Sequence, residues 1–284
     1  MIYLREFTFP SGEQEFDYIL SIQRKCYNTF YPFKILSKRE LSRLNFAPIT
    51  ILYGGNGSGK TTALNVIAEK LGLQREANYN KSNFFDDYVD LCVAAISEEI
   101  TPQSRIMTSD DVFDRMLNVR AINDGIDNKR EELFDEYMDA KYSKFQFRGM
   151  EDYERLRKVN QSRSGTQSRY VRNHLGENIR EYSNGESGFK YFLEKMEEDA
   201  LYLLDEPENS LSPERQLELV QFIEESVRFF GCQFIISTHS PFLLALEGAK
   251  VYDLDEDPVE VKPWTRLKNV RMYYEFFQKH KDAF

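Results

Sequence analysis

Ile49-Thr50-Ile51-Leu52-Tyr53 runs without a break into Gly54-Gly55-Asn56-Gly57-Ser58-Gly59-Lys60-Thr61-Thr62, and this junction decides how the rest of the chain is read. The first five residues are apolar or β-prone and predict a strand. The next eight match G-x-x-x-x-G-K-[ST], in which glycines let backbone N–H groups turn inward and wrap a phosphate without Cβ clashes. In such a loop the Lys60 ammonium reaches the β- and γ-phosphates of a nucleotide, and the Thr61 hydroxyl is a ligand for Mg²⁺. From about Thr61 a helix is predicted, because Leu64, Ile67, Ala68 and Leu71 recur at i, i+3, i+4, i+7 and Gly72 is placed to cap its C-terminus. Its positive end then points at the anion. A glycine-rich loop can match the pattern by chance; strand before and helix after is the order a phosphate site requires.

Working outward, the next clean region starts at Leu201. Leu201–Leu204 is a short continuous apolar run, as in a strand buried on both faces. It delivers Asp205 and Glu206 at its end, one placed to hold Mg²⁺ and the other to orient or deprotonate an attacking water. Two solvated acids after a strand are common, but Pro207-Glu208 directly behind them disfavours a plain surface turn. Ser212-Pro213 is an N-cap and N1 pair. Leu217, Val220, Ile223 and Val227 mark the apolar face of the helix it opens, and Gly231 ends that helix. Gln233–Ser237 reads as another buried strand and Val251–Leu254 as one more. Strand–helix–strand alternation implies an α/β fold with a parallel-sheet core.

Between these regions, from about Phe113 to Tyr182, the character changes. Glu131–Lys144 is charged, aromatic and helical in spacing. Arg155–Arg172 holds six Lys or Arg residues and no acidic one, and reads as a mobile loop or a frayed helical arm. The expected organisation is one integrated domain: residues 1–112 and 200–284 form the nucleotide-binding core, and 113–199 an inserted, mainly helical lobe that carries the signature discussed below.

Composition narrows the options. The 284 residues are 41% hydrophobic and 30% charged, which is globular composition, and no apolar run is long enough to span a membrane. The first residues lack a signal-peptide core, so a cytoplasmic location is expected. Cys26, Cys92 and Cys232 form no CxxC pair and read as reduced, mostly buried thiols; His174, His239 and His280 are too scattered for a zinc site. A net charge of −10 argues against a chain whose main business is coating nucleic acid, while leaving room for a local basic patch.

These motifs together resemble ABC-type ATPases. Asp205-Glu206-Pro207 is similar to their extended Walker B motif, Asn209-Ser210-Leu211-Ser212 to the D-loop that bridges two subunits, and Thr238-His239-Ser240 to the switch-histidine segment. Tyr182-Ser183-Asn184-Gly185-Glu186-Ser187 stands where the signature motif belongs. It departs from the Leu-Ser-Gly-Gly-Gln of transporters and resembles the SMC, RecF and OLD-like branch, in particular its small stand-alone bacterial ATPases. The resemblance implies a P-loop NTPase fold, an ABC ATPase head with an inserted helical lobe. It further implies ATP and Mg²⁺ as ligands and Glu206, His239 and Lys60 as catalytic groups. Gly54, Gly55, Asn56, Gly57, Ser58, Gly59, Lys60, Thr61 and Thr62 would bind the nucleotide, with Thr61 and Asp205 on Mg²⁺. Ser183, Gly185 and Glu186 would reach the nucleotide of a second copy. One departure stands out: ABC ATPases carry a Gln at the end of a strand in the first lobe. The corresponding segment here, Ile106-Met107-Thr108-Ser109-Asp110, has Ser109 or Asp110 at that spot, and Gln103 lies too early.

The function expected on this basis is ATP hydrolysis in an ATP-dependent homodimer that drives or times a partner, such as a nuclease or toxin effector, in DNA repair or phage defence. An ATP-gated switch or scaffold with little hydrolysis is the alternative, and a transporter subunit would require a membrane partner and the transporter signature. Nucleic acid contact is open through Arg155–Arg172. The aromatic run Tyr273-Tyr274-Glu275-Phe276-Phe277 reads as core packing.

Overall fold

The computed structural model describes residues 1–23, 26–144, 149–175, 178–179 and 184–283. In chain order the elements are β1 (Leu4–Thr8), α1 (Gly12–Ser21), β2 (Arg43–Asn45), β3 (Ile49–Tyr53), α2 (Lys60–Leu71), α3 (Phe85–Leu91), β4 (Val93–Ile96) and β5 (Arg105–Thr108). There follow α4 (Ser109–Tyr142), α5 (Tyr153–Ser164), α6 (Gln167–His174) and α7 (Asn184–Lys195). The chain continues with β6 (Leu201–Asp205), α8 (Pro213–Phe229), β7 (Gln233–Ser237), α9 (Pro241–Leu244), β8 (Lys250–Asp253), β9 (Glu260–Val261) and α10 (Lys268–Lys279).

A six-stranded sheet has the order β5-β6-β7-β3-β8-β9, parallel throughout except for the last pair. Every residue of β3, β6 and β7 is buried, which is why these strands read as unbroken apolar runs rather than alternating ones. Parallel register brings their carboxyl ends to one edge: Leu52 pairs with Ser237, Ser237 with Asp205, and Asp205 with Thr108. That row is the floor of the site. A smaller antiparallel sheet, β2-β1-β4, is tied to the larger one by buried side chains, among them Tyr252, whose hydroxyl accepts from Asn45 N and donates to Asn45 O (both 3.0 Å), and Gln233. The Gln233 carboxamide accepts from Tyr3 N (2.8 Å) and Leu4 N (2.9 Å) and donates to Leu4 O (2.9 Å).

Local expectations meet the structure with two corrections in the sheet unit. Gly72 caps α2 in the left-handed region (φ 63°), and Ser212 caps α8 through the Arg215 amide with Pro213 behind it. The buried stripe of α8, however, is Gln216, Leu219, Ile223 and Ser226, and Leu217 is exposed. The helix is turned by one position because Gln216 is needed inside, donating to Leu211 O (3.1 Å) and accepting from Ser240 Oγ (2.6 Å). The C-terminal aromatics do not pack into the core either. Tyr273, Tyr274, Phe276 and Phe277 are exposed on α10, whose one buried residue is Val270. Cys92 and Cys232 are buried, Cys26 is exposed, and all three are free.

The chain divides into two compact units, residues 1–113 with 183–284, and residues 114–182. Helix α7 thus groups with the sheet rather than with the insert: a Cβ on Gly188 would lie 2.6 Å from Ser210 O, so helix and loop meet backbone to backbone. Within the second unit Leu133, Tyr137, Tyr170 and Val171 form a small core. The segment 155–172 is two helices, α5 and the end-capped α6, rather than a loop; Val159, Tyr170 and Val171 are buried while Arg155, Arg157, Lys158, Arg163, Arg169 and Arg172 are all exposed. Each helix turns a few residues inward, Val159 and Ser162 on α5 and Tyr170 and Val171 on α6, in a segment whose composition is strongly polar.

Candidate functional site

The glycine loop turns between the carboxyl end of β3 and the N-terminus of α2. Gly57 (φ 80°) and Gly59 (φ 98°) lie in the left-handed region. At Gly59 a Cβ would also come within 2.8 Å of Leu36 and 3.2 Å of Ile35, so conformation and packing both require glycine there. Lys60, 4% exposed, folds back over the loop and donates to Gly54 O (2.7 Å) and Gly55 O (3.1 Å), with its Nζ 3.4 Å from Glu206 Oε1. On the other side the Asp255 carboxylate accepts the Gly55 N–H with both oxygens at 2.9 Å. Asn56 to Thr62 and Glu206 enclose a cleft of about 300 Å³.

Asp205 ends β6 at 8% exposure. Its Oδ1 accepts from Thr61 Oγ1 at 3.1 Å and from Ser237 Oγ, so the strand-end acid and the loop threonine share one oxygen. Burial pushes the Asp205 carboxyl above the usual Asp range; the Ser237 and Thr61 hydroxyls pull the other way, Glu206 adds to the rise and Lys60 opposes it. A hydroxyl beside a nearly dehydrated carboxylate is an all-oxygen, hard donor pair, which fits Mg²⁺ completed by phosphate oxygens and water. No cluster of three or more His, Cys, Asp or Glu that would hold a metal alone occurs among the described residues. Glu206 sits at φ 47°, an uncommon backbone for a non-glycine residue, held by its N–H on Ser237 O (3.0 Å). Asn209 Nδ2 donates to its Oε2 at 3.0 Å.

A second cleft of about 480 Å³ opens beside the first, shares Thr61 and Thr62 with it and adds Asp205. Thr108, Ser109 and Asp110 line this cleft from the end of β5, in register with Asp205, which is where the strand-end Gln was sought. No Gln lines it; its carboxamides come from Asn65, Asn78 and Asn80. Tyr31 closes one side, its hydroxyl 3.3 Å from Thr62 Oγ1, and the Arg75 guanidinium lies 3.7 Å over the Tyr79 ring.

His239 follows β7, with its side chain 42% exposed. Its N–H donates to Glu208 Oε1 at 2.8 Å. Of the signature residues, Ser183 lies outside the described residues, Gly185 is in the first turn of α7, and Glu186 is 3.8 Å from Arg215. Asp255 and Glu208 escaped the sequence reading as site residues. Each is a single acid whose role depends on a neighbour far along the chain; the only signal was the position of Glu208 immediately after Pro207.

Residues 176–245 match the model of a family described as "AAA domain, putative AbiEii toxin, Type IV TA system". No curated protein matches the chain in sequence. Among solved structures, the Smc head domain with an extended coiled coil from Pyrococcus furiosus, bound to the C-terminal domain of ScpA, is 14% identical over 84% of this chain and 95% of that one, with a TM-score of 0.40. Stu0660 of Streptococcus thermophilus is 14% identical over 84% and 76%, with a TM-score of 0.41. The ATP-binding cassette MJ0796, in a dimeric post-hydrolysis state bound to ADP and Pi, is 13% identical over 78% and 89%, with a TM-score of 0.35. At such scores the three add no weight; the fold rests on strand order and on the phosphate loop. The family match over residues 176–245 and this architecture bear out the resemblance to ABC/AAA-type P-loop ATPases, and they support nucleotide-binding ATPase activity. No described helix is long and apolar enough to cross a membrane.

Proposed function

We propose that the chain binds ATP with Mg²⁺ in the loop Gly54–Thr62 and hydrolyses it within a dimer of two copies, each completing the other's site through Ser183, Gly185 and Glu186. The observation that carries this reading is the convergence of Lys60, Thr61, Asp205 and Glu206 at one edge of a parallel sheet. On binding, Lys60 exchanges the Gly54 and Gly55 carbonyls for phosphate oxygens. Thr61 and Asp205 would hold Mg²⁺, which when bound would neutralise charge on the phosphates. Glu206 takes a proton from the attacking water, the water oxygen bonds to the γ-phosphorus, and the bond to the β-phosphate oxygen breaks to leave ADP and inorganic phosphate. His239 contacts the γ-phosphate from the β7 side.

The direct test is Lys60→Ala, examined by calorimetric titration with Mg-ATP. With the buried ammonium gone, affinity falls by roughly 10²-fold, as for loss of one preorganised charged donor. Undiminished binding would place the nucleotide elsewhere. Multiple-turnover hydrolysis by the wild type separates a motor or timer from a switch that only binds.

The cycle serves an effector partner, in keeping with the toxin–antitoxin description of the matched family, and the setting proposed for it is phage defence or DNA repair. Nucleic acid contact is proposed for the insert, on the six exposed Lys and Arg side chains of α5 and α6. Charge reversal of Arg163, Arg169 and Arg172 to Glu then weakens duplex DNA binding by 10-fold or more at about 50 mM salt and flattens its salt dependence. Wild-type DNA affinity that is insensitive to salt removes this part of the reading.

A further inference from the structure

Asp255 stands at the rim of the phosphate loop, where a negative charge repels the ligand the loop is shaped to hold. Its place follows from the sheet. Parallel pairing sets Tyr53 beside Asp253, and Leu254 N donates to Tyr53 O at 2.8 Å, so that two residues past each strand end Asp255 meets Gly55. Both carboxylate oxygens lie 2.9 Å from Gly55 N and share its one N–H. Asp255 is itself tied down: its N–H donates to Asp253 Oδ1 at 3.1 Å, and its carbonyl accepts from Arg39 Nη1 at 3.4 Å. The Gly54–Gly55 peptide is trans, so its C=O and its N–H point to opposite sides. With the N–H turned out to Asp255, Gly54 O is turned in, where it accepts from Lys60 Nζ at 2.7 Å. One peptide unit thus links an exposed acid to the buried ammonium. Neither glycine has a side chain to hold that plane, and glycine backbone is the freest to rotate.

We propose that Asp255 is a positioning residue for nucleotide binding: it locks the plane of the Gly54–Gly55 peptide and, through it, the resting place of Lys60. This rests on the reading of Gly54–Thr62 as the ATP site. When Lys60 leaves the Gly54 and Gly55 carbonyls for phosphate oxygens, the Gly55 N–H stays on Asp255 and the peptide does not turn into the space vacated. The loop meets ATP already shaped, and the ordering cost of binding falls. Such a tie serves bound substrate and transition state alike, so it lowers KM and leaves kcat alone.

The experiment is calorimetric titration with Mg-ATP and steady-state hydrolysis in wild type, Asp255→Ala, Asp255→Asn, Lys60→Ala and the double variant Asp255→Ala with Lys60→Ala, each checked for folding by thermal unfolding. Ala loses the acceptor, and Kd and KM rise about 10-fold with kcat held within about 3-fold. Asn keeps one acceptor oxygen and drops the charge, so its Kd stays within about 3-fold of wild type. In the Lys60→Ala background the change at position 255 adds less than about 3-fold, since its effect runs through the ammonium. Fully additive losses overturn the link to Lys60, and a fall in kcat at unchanged KM overturns the positioning role. If Asp255→Ala does not fold, hydrogen exchange in the wild type decides: the Gly55 amide is protected beside the exposed Asn56 and Gly57, and free exchange there refutes the proposal. Lys60→Ala separates the two ways of failing. If it binds ATP undiminished, the loop is not the ATP site; if it loses ATP while Asp255→Ala binds normally, only the role of Asp255 falls.

Discussion

Glu206→Gln is expected to lower ATP turnover by 10²–10⁴-fold while leaving ATP binding intact, and to accumulate an ATP-held dimer. The substitution changes one atom in a side chain fixed by its neighbours: Asn209 Nδ2 donates to Oε2 and Lys60 Nζ faces Oε1. An amide in that place no longer takes a proton from water, so the base is lost with little change of shape. Lys60 loses its anionic partner at 3.4 Å and is left with the Gly54 and Gly55 carbonyls, neutral acceptors that compete less well for an ammonium than phosphate does. Affinity for ATP therefore holds or rises. In the proposed two-copy mechanism the triphosphate joins the two faces and hydrolysis separates them, so blocking hydrolysis lengthens the life of the joined state. Sedimentation velocity reads this directly: dimer with Mg-ATP, monomer with Mg-ADP or without nucleotide. A Gln variant that is monomeric under all three conditions, yet binds ATP, sinks the two-copy mechanism and leaves the single-chain phosphate site standing.

What could be read in advance, and what could not, follows from the range of the interactions involved. The loop, the acids behind β6 and the caps at Gly72 and Ser212 are local: strand, turn and helix preferences within a dozen residues determine them, and the structure has each where the pattern put it. The face of α8 was misread because Gln216 and Ser226 look polar in a list of residues yet are buried, their side chains satisfied by backbone carbonyls. The segment 155–172, read as a mobile loop or a frayed helical arm, is helical, its charge hiding Val159, Tyr170 and Val171 as inward residues. Asp255 reaches Gly55 across 200 residues and Glu208 reaches His239 across 31. No periodicity announces such pairs; only the parallel register that lines up the strand ends brings them together. The exposed aromatics of α10 obey the opposite lesson. As a run of aromatics they read as core packing, and in the structure Tyr273, Tyr274, Phe276 and Phe277 are exposed.

Asp205→Asn is expected to make the chain more stable and useless as an ATPase at once. The carboxyl is 8% exposed at the end of a central strand, and burial raises its pKa above that of an unfolded Asp. A raised folded-state pKa means that the native state binds the proton more tightly than the unfolded one. The contribution of this group to stability is therefore full below the unfolded value of about 3.9 and declines as pH rises through the folded value. At pH 7.5 the native fold carries an ionised, nearly dehydrated acid, a cost that Asn avoids while its carbonyl oxygen still accepts from Thr61 and Ser237. The variant should gain about 1–2 kcal/mol of stability at pH 7.5 without Mg²⁺. That gain should shrink as the pH is lowered and Asp205 becomes protonated. With Mg-ATP at 100 times its Kd the wild type gains about 2.7 kcal/mol by linkage, and the variant, short of its charged ligand, gains far less. Thermal unfolding at pH 7.5 and pH 4.5, with and without Mg-ATP, measures all three effects in one series. An Asn variant that melts below the wild type at pH 7.5 without Mg²⁺ would show that the carboxylate supports the fold itself. The division of labour would then fail, since it has Thr61 and Asp205 held ready at an energetic loss that the bound metal removes.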